Sequence, residues 1–328
     1  TRSSATRVLS SSGSTSSPTR PGRCLSTQRR AELLLLSVTL IWGSTFVVTK
    51  SLVDQNSPLF YTAIRFLLSA ISLFVIFPRR LIRIPGPALR RGCVLGFFLF
   101  TGFAAQTIGI QYTTASKSAF FTGMLTVLTP VVHFTVQRFT PAGRKVLKLG
   151  NVLGVIFAGL GLYLLTSPSG SGFNGGDALT LLCAFCFACY IVYLDLVSDE
   201  PDKVQLTFVQ FLFCGMAALL VSLPFEEIRV TLSGAYVASL LYLTIFATVI
   251  AMLVQNRFQG DTTPTRAAVI FAMEPVVAAF FAYAVRGELI GVVGIIGGAI
   301  IFAALLLSEF SDEIPLLNRT ISGGGRNV

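Results

Sequence analysis

The sequence predicts an all-α polytopic membrane protein with ten transmembrane helices as two inverted five-helix repeats, and three observations support this fold class. Hydrophobic residues make up 53% of the 328 residues and charged residues only 12%, whereas an average soluble domain has about 25% charged residues. The apolar residues fall in ten runs, each long enough to cross a hydrocarbon core about 30 Å thick. The two halves of the chain resemble each other. Because backbone groups in lipid must be hydrogen-bonded within their own segment, the ten runs are predicted to be helices.

The apolar runs lie between two polar tails. Residues 1–30 are rich in Ser, Thr and Arg and contain no acidic residue, which predicts a disordered basic tail. A processed targeting segment has a similar composition, and because the chain opens with Thr1 we expect the natural N-terminus to be missing or processed. Residues 309–328 are predicted to be a cytosolic C-terminal tail. The ten runs are 33–49, 58–77, 92–112, 118–136, 149–165, 178–197, 204–223, 233–254, 266–285 and 289–308.

The basic residues predict the orientation of the chain. With the N-terminus in the cytosol, 20 of the 25 Lys and Arg residues lie in the tails and even-numbered loops, and the odd-numbered loops carry four. The positive-inside rule therefore places both termini in the cytosol. The same rule explains the net charge of +10 without a nucleic-acid partner. We expect an integral protein of the cell (cytoplasmic) membrane, with an organellar membrane as the alternative.

A near-constant shift aligns the second half of the chain with the first. A shift of 145 residues pairs Phe66 with Phe211 and Pro130 with Pro275. Each repeat has five spans, an odd number, so the second repeat starts on the opposite face of the membrane. Such inverted repeats are typical of secondary transporters, which bind substrate near the midplane between the halves. The repeats are predicted to cover residues 31–165 and 176–308.

Short motifs in these spans resemble those of the EamA family of the drug/metabolite transporter superfamily. The motifs are Trp42-Gly43-Ser44-Thr45-Phe46, Arg65-Phe66, Leu128-Thr129-Pro130, Glu274-Pro275-Val276 and Gly287-Glu288. The resemblance implies a permease without an ATPase domain that exports or exchanges small organic metabolites, such as amino acids or drug-like amines, by alternating access. The first repeat of the family usually carries Gly-Glu where this chain has Gly143-Arg144, so any role of that carboxylate remains only at Glu288.

Two charged residues inside spans are candidates for the site. Glu274 is the only carboxylate well inside a span, and a mid-membrane charge costs about 2.5–3.5 kcal/mol, so we expect it to face a cavity or a partner, or to be protonated. It is predicted to bind a substrate ammonium or a proton, and the alternative is a buried group capped by backbone. Arg65 could bind a substrate carboxylate, but we favour a structural or gating role in which it pairs with backbone carbonyls and locks the second helix.

Four polar or aromatic residues are predicted to line the cavity with Glu274. They are Trp42, Gln106, Tyr190 and Gln255, and the alternative for each is an interhelical hydrogen bond or an interfacial position.

Two prolines and one histidine are predicted to act in coupling or gating. Pro130 and Pro275 occupy corresponding positions in the fourth and ninth spans, and proline disrupts the preceding helical turn, so each helix is expected to kink and pivot there. His133 follows Pro130 by one turn and could carry protons; the alternative is a helix–helix hydrogen bond. With Glu274, His133 is predicted to couple transport to protons.

The sequence therefore predicts a secondary-active carrier with the lipid bilayer, a small-molecule substrate and protons as partners. No catalytic residue, metal or cofactor is expected, because the chain has one histidine, few carboxylates and no phosphate-binding loop. The alternatives are a sugar-phosphate or nucleotide-sugar exchanger of the same fold, a membrane-embedded enzyme and a channel. Glycine pairs such as Gly294 and Gly298 match the close-packing motif of membrane helices, which leaves a homodimer open.

Overall fold

The computed structural model describes residues 21–139, 149–166, 174–287, 291–309 and 314, and these residues form helices and loops without a strand. Ten helical spans follow one another, which confirms the predicted all-α membrane fold. Eight of them are long and apolar enough to cross a membrane, and the other two, α5 and α10, have 18 residues each. The first five are α1 Pro21–Val53, α2 Pro58–Ile76, α3 Gly86–Gly109, α4 as α4a Ala115–Gly123 and α4b Leu125–Phe139, and α5 Leu149–Thr166.

The second half repeats this order. Its helices are α6 Gly175–Leu196, α7 Lys203–Phe225, α8 as Gly234–Thr244, a π-helical turn Ile245–Ile250 and Ala251–Phe258, α9 as α9a Pro264–Phe271 and α9b Glu274–Arg286, and α10 Val292–Glu309. A one-turn helix, Pro78–Leu81, lies between α2 and α3.

Side chains cap several helix starts, and they do so at corresponding places in the two halves. The backbone N–H of Lys117 donates to Thr114 Oγ1 at the start of α4a, and the N–H of Arg266 donates to Thr263 Oγ1 at the start of α9a. Such a cap satisfies one of the N–H groups that the first helical turn leaves without a partner. The polar residues between the apolar runs therefore determine where the helices begin.

The contacts of α2 with α7 show that the two halves are inverted. Near the end of α2, Phe74 packs on Phe208 near the start of α7, with ring centroids 6.4 Å apart. At the start of α2, the N–H of Leu59 donates to the carboxylate of Glu226, which directly follows α7 (2.9 Å). The two helices are the second spans of their repeats, and they run antiparallel.

The packing of the other helices follows the same pseudo-two-fold relation. Helices α5 and α10, the last spans of the two repeats, pack against each other across the axis. The contact between α1 and α9 has its counterpart in the contact between α6 and α4, and the contact between α3 and α6 has its counterpart in the contact between α8 and α1. At Gly161 of α5 a Cβ atom would lie 2.7 Å from the carbonyl oxygen of Gly297. Glycine is therefore needed there for the backbones of α5 and α10 to approach each other.

The interruption of α4 does not lie at the predicted proline. The N–H of Met124 bonds to the carbonyl of Phe121 (3.2 Å), and the N–H of Met273 bonds to the carbonyl of Ile270 (3.1 Å), so each span contains one tight turn. Met273 directly precedes Glu274-Pro275, whereas α4b continues through Pro130. The interruption of the fourth span therefore lies at Met124, six residues before Pro130, and a kink at Pro130 itself stays a prediction.

The reason is a difference in register between the two halves. The helix cap and the tight turn of α4 align with those of α9 at a shift of 149 residues, whereas the prolines of the two spans align at a shift of 145. The first repeat thus has four additional residues, about one helical turn, between the tight turn and its proline.

Loops meet at two faces of the bundle that differ in charge. On the basic face, Gln205 Nε2 donates to the carbonyl of Arg80 (2.7 Å) and Arg91 forms an ion pair with Glu200 (2.7 Å). This face carries the cluster Arg79, Arg80, Arg83, Arg90 and Arg91. The opposite face carries the loops around Lys50, Lys117 and Arg229. The predicted orientation, in which the basic face is cytosolic, stays a prediction.

Helix α1 begins at Pro21, so residues 21–30 belong to a helix in the structure, whereas the sequence analysis assigns them to the tail. Residues 1–20, the Gly143-Arg144 site, Glu288 and most of the C-terminal tail lie outside the described residues.

The orientation can be tested with one cysteine on each face of a cysteine-free variant. Ile82 and Leu232 are 71% and 79% exposed and lie on the basic and the opposite face. We expect Ile82→Cys to react with a membrane-impermeant maleimide only from the cytosolic side, and Leu232→Cys only from the other side, because charged loops cross the bilayer poorly. Labelling of both positions from one side would contradict the inverted arrangement.

Candidate functional site

A cavity lies between the two halves. Its walls come from both repeats, and every helix except α5, α7 and α10 contributes. The lining residues are Trp42, Thr45, Arg65, Leu99, Phe103, Gln106, Leu125, Phe187, Tyr190, Ile191, Met252, Gln255, Phe271 and Glu274. All five residues predicted to bind substrate, and Arg65, are among them, although contact with a substrate stays a prediction.

The cavity lies on the pseudo-two-fold axis, because most of its lining residues occur as pairs related by the repeat. The shift is 145 residues for the α1–α6 pairs and 149 for the others. The related pairs are Trp42 with Phe187, Thr45 with Tyr190, Phe103 with Met252, Gln106 with Gln255, and Leu125 with Glu274.

Two oxygen acceptors are available at the cavity wall. Glu274 is the first residue of α9b and is 8% exposed, and among the described residues nothing gives its carboxylate a hydrogen bond or an ion pair. Gln255 of α8 is buried; its Nε2 donates to Gln259 Oε1 (2.8 Å), while its Oε1 has no partner in the described part of the chain. Such unsatisfied buried oxygens are costly unless water or a ligand supplies donors.

Arg65 links α2 to α8 at the same cavity. Its Nε donates to Thr248 Oγ1 (2.7 Å), and its guanidinium carbon lies 5.0 Å from the ring centroid of Phe103. The expected pairing with backbone carbonyls is therefore replaced by a hydroxyl and by aromatic faces, which attract a cation. The role of Arg65 in locking α2 stays a prediction.

The π-helical turn of α8 explains why Trp42 lies where it does. The indole Nε1 of Trp42 donates to the carbonyl oxygen of Ala247 (2.8 Å), and Thr248 Oγ1 donates to the carbonyl of Leu243 (2.8 Å). A π turn is often found at functional sites because it changes the direction in which carbonyls and side chains point. The Trp42 ring, but not its N–H, is therefore left to contact a ligand.

Tyr190 and Gln106 also use their polar atoms between helices. The hydroxyl of Tyr190 lies 2.9 Å from both Gln210 Oε1 and Asn256 Oδ1, which joins α6, α7 and α8. Gln106 Nε2 donates to Thr122 Oγ1 (3.1 Å). The interhelical hydrogen bonds weighed as an alternative are thus present, and these residues line the cavity as well.

The residues predicted for gating fall into two groups. Pro275 adjoins the tight turn and Glu274, at the cavity. His133 is buried on α4b beside Gln137, with the two Nε2 atoms 2.9 Å apart, and it is not a lining residue. It lies about 12 Å along the helix from Leu125, the α4b residue at the cavity.

The apolar part of the wall was not predicted from the sequence. Phe103, Phe187 and Phe271 resemble ordinary core residues in the sequence, although Phe187 could have been found as the repeat partner of Trp42. The ring of Phe271 packs 5.5 Å from that of Trp42, so aromatic groups from both halves meet at the cavity.

Comparisons with known proteins agree with this architecture. The profile of the EamA-like transporter family matches residues 29–167 and 174–310. The chain is 33% identical over 280 residues to an uncharacterized transporter of Archaeoglobus fulgidus, covering 84% of this chain and 85% of the relative. It is 26% identical over 301 residues to a probable amino-acid metabolite efflux pump of Salmonella typhimurium, covering 87% and 97%.

Two further similarities are narrower. An S-adenosylmethionine/S-adenosylhomocysteine transporter of Chlamydia muridarum is 30% identical over 173 residues, covering 49% of this chain and 52% of the relative. A crystal structure of a protein superposes with a TM-score of 0.69 at 18% identity, covering 86% of this chain and 96% of that chain, and this likeness concerns the fold alone.

Ten apolar helices, an inverted repeat and a shared cavity define a class, the integral membrane transporters with internal symmetry. The family match extends over both halves of the chain. The chain belongs to the EamA-like transporter family.

The position of Glu274 depends on Gly43 of α1, where a Cβ atom would lie 2.5 Å from Val277 Cβ and 2.9 Å from the carbonyl oxygen of Glu274. We expect Gly43→Ala to lower the free energy of unfolding by about 1–3 kcal/mol, the usual cost of overpacking, and to reduce ligand binding. Thermal unfolding in detergent measures the effect. Gly234→Ala is the matched control, because nothing lies within 4 Å of its Cβ position. Equal melting temperatures of the two variants would contradict the close approach.

Proposed function

We propose that this protein carries small organic zwitterions, such as amino acids, across the membrane by alternating access, in export or exchange. One observation carries the proposal. Arg65 and Glu274, one basic and one acidic side chain, line the same cavity, and within the described residues they form no ion pair with each other. A ligand with a carboxylate and an ammonium group can bind to both, because a guanidinium matches a carboxylate and a carboxylate matches an ammonium.

The two charges break the internal symmetry of the cavity. The repeat partner of Arg65 is Gln210, and the repeat partner of Glu274 is Leu125. A cavity with a basic group on one side and an acidic group on the other favours a ligand that binds in one orientation. A dipolar substrate has this property, whereas a simple amine or a simple acid uses only one of the two charges.

The rest of the wall suits the same ligand. Gln255 Oε1 is an additional acceptor, and Trp42, Phe187 and Phe271 supply aromatic surface for an ammonium or an apolar side chain. The name of the Salmonella relative, a probable amino-acid metabolite efflux pump, supports this substrate class. A sugar phosphate or nucleotide sugar fits less well, because Arg65 is the sole basic side chain among the lining residues of the described cavity.

The mechanism that we propose is a rocking of the helices of each half around the cavity. The tight turns at Met124 and Met273 replace the predicted pivots at Pro130 and Pro275, with Pro275 next to one of them. We propose further that Glu274 couples this motion to protons, since a carboxylate can bind a proton in place of a substrate ammonium. His133 is the second candidate for proton coupling, and the experiment on Glu274 below includes a His133 variant.

Substrate polarity can be tested by ligand-induced thermal stabilisation. We expect an amino acid to stabilise the protein more than its carboxamide, which lacks the carboxylate, and more than its deamino analogue, which lacks the ammonium. Arg65→Gln should remove the preference over the carboxamide, and Glu274→Gln the preference over the deamino analogue. Each preference should correspond to about 10- to 100-fold in Kd, the effect of one charge-assisted hydrogen bond.

Two matched variants control for the loss of charge alone. Glu227 is exposed on the opposite face and Arg83 on the basic face, so Glu227→Gln and Arg83→Gln should keep both preferences. If Arg65→Gln and Glu274→Gln keep them as well, the zwitterion site is wrong.

Proton coupling can be tested by transport in proteoliposomes at several pH values. We expect uptake driven by a pH gradient in the natural protein and flattened pH dependence after Glu274→Gln, because the glutamine amide does not titrate. His133→Gln is measured in parallel, and pH dependence that disappears only in that variant would move the coupling site from the cavity to α4b. Full pH dependence after Glu274→Gln would refute the role of this carboxylate.

A further inference from the structure

Two buried ion pairs lie outside the cavity, one toward each face of the bundle. On the basic face, Arg266 Nη1 of α9a lies 2.8 Å from Glu32 Oε1 of α1. On the opposite face, Lys117 Nζ of α4a lies 2.7 Å from Asp177 Oδ2 of α6. We call them the basic-face ion pair and the opposite-face ion pair.

The internal repeat relates the two ion pairs to each other. The shift of 145 residues that pairs α1 with α6 takes Glu32 to Asp177, and the shift of 149 that pairs α4a with α9a takes Lys117 to Arg266. Acid and base therefore occupy equivalent positions in the two halves. The inverted repeat places these equivalent positions at opposite faces.

The equivalence extends to the hydroxyl groups beside each carboxylate. Thr262 Oγ1 donates to Glu32 Oε1 (2.9 Å), and its repeat partner Thr113 donates to Asp177 Oδ1 (2.8 Å). The next residue in each half is the threonine that caps α9a or α4a. Two unrelated ion pairs are not expected to have a base, an acid, a hydroxyl donor and a helix-capping threonine at equivalent positions of the two repeats.

Both ion pairs are shielded from solvent. The side chains of Glu32 and Arg266 are 3% and 5% exposed, and those of Asp177 and Lys117 are 0% and 19% exposed. A buried ion pair holds two helices together while it is formed, but separating the partners in place leaves uncompensated charge. Such a contact favours two states, one closed and one opened far enough for water to reach both charges.

The two ion pairs lie at equal distances on either side of the cavity. Ten residues separate Glu32 from Trp42 in α1, and ten separate Asp177 from Phe187 in α6, which corresponds to about 15 Å along each helix axis. The basic-face ion pair joins α1 to α9a between the cavity and the basic face. The opposite-face ion pair joins α6 to α4a between the cavity and the opposite face.

We propose that these two ion pairs are the alternating gates of the transporter. The basic-face ion pair breaks when the cavity opens to the basic face, the opposite-face ion pair breaks when it opens to the other side, and one pair stays formed in each open state. This proposal rests on the alternating access proposed above, and it assigns the groups that hold each side closed. Both pairs are formed in this structure.

The test measures access to the cavity from each face. A variant without the six native cysteines carries Thr45→Cys, a lining position, and is embedded in sealed vesicles of either orientation. Removing a gate should increase the population that is open to its own face. Labelling of Thr45→Cys by a membrane-impermeant maleimide should therefore become about tenfold faster from the basic face after Arg266→Gln, and slower from the opposite face. Lys117→Gln should have the reverse effect.

Three controls make the test specific to the gates. The charge swap Glu32→Arg with Arg266→Glu should return labelling toward the starting rates, and it also serves if Arg266→Gln does not fold. Arg229→Gln removes an exposed ion pair with Glu227 on the opposite face and should change neither rate. Faster labelling from both faces after a single gate substitution would indicate loosened packing and would overturn the proposal, as would unchanged labelling.

Because the labelling experiment needs no substrate, the gate proposal and the substrate proposal can be refuted independently of each other. If the gate variants shift access as expected but the protein neither binds nor moves zwitterions, the substrate proposal is wrong and the gates remain. If the protein transports zwitterions but the gate variants leave access unchanged, only the assignment of the gates is wrong.

Discussion

The structure depends on the requirement that every backbone polar group in lipid is satisfied within its own helix. Regular helices therefore offer nothing polar to a substrate, and recognition has to come from side chains or from places where a helix is irregular. Here the π turn of α8 and the tight turn before Glu274 both lie at the level of the cavity. The irregular backbone is sheltered there by protein, which is where a membrane protein tolerates it.

A second feature is that the basic and the acidic side chain at the cavity form no ion pair with each other within the described residues. Arg65 is held by Thr248 and by aromatic rings, while Glu274 has no such partner in the described part of the chain. An ion pair between the two groups would occupy the side chains that the proposed zwitterion site needs. The hydrogen bond to the π turn positions Arg65, and the break before α9b places Glu274 at the start of a helix, so the local irregularities also shape the site.

The ion pairs beyond the cavity show what an inverted repeat provides. One kind of contact occurs at both faces with the same relation to the cavity. Breaking such a buried pair in place costs about 3–5 kcal/mol, more than an exposed pair, which contributes about 0–1 kcal/mol. Two equivalent contacts allow the closed states toward the two faces to have similar free energies, which a carrier needs if it is to cycle.

The amino-acid sequence by itself determined the membrane helices, their number, the repeat and the residue types of the cavity, because hydrophobic runs, scarce charge and the spacing of the halves are local or one-dimensional properties. Trp42, Gln106, Tyr190, Gln255 and Glu274 were recognisable as polar or aromatic exceptions in apolar spans. Only the tertiary structure decided that Arg65 bonds to a threonine of a π turn, that α4 breaks at Met124 and not at Pro130, and that His133 is not among the residues that line the cavity. Those outcomes depend on which helix faces meet across the pseudo-two-fold axis, and a change of register by one helical turn is invisible when the proline motifs themselves align.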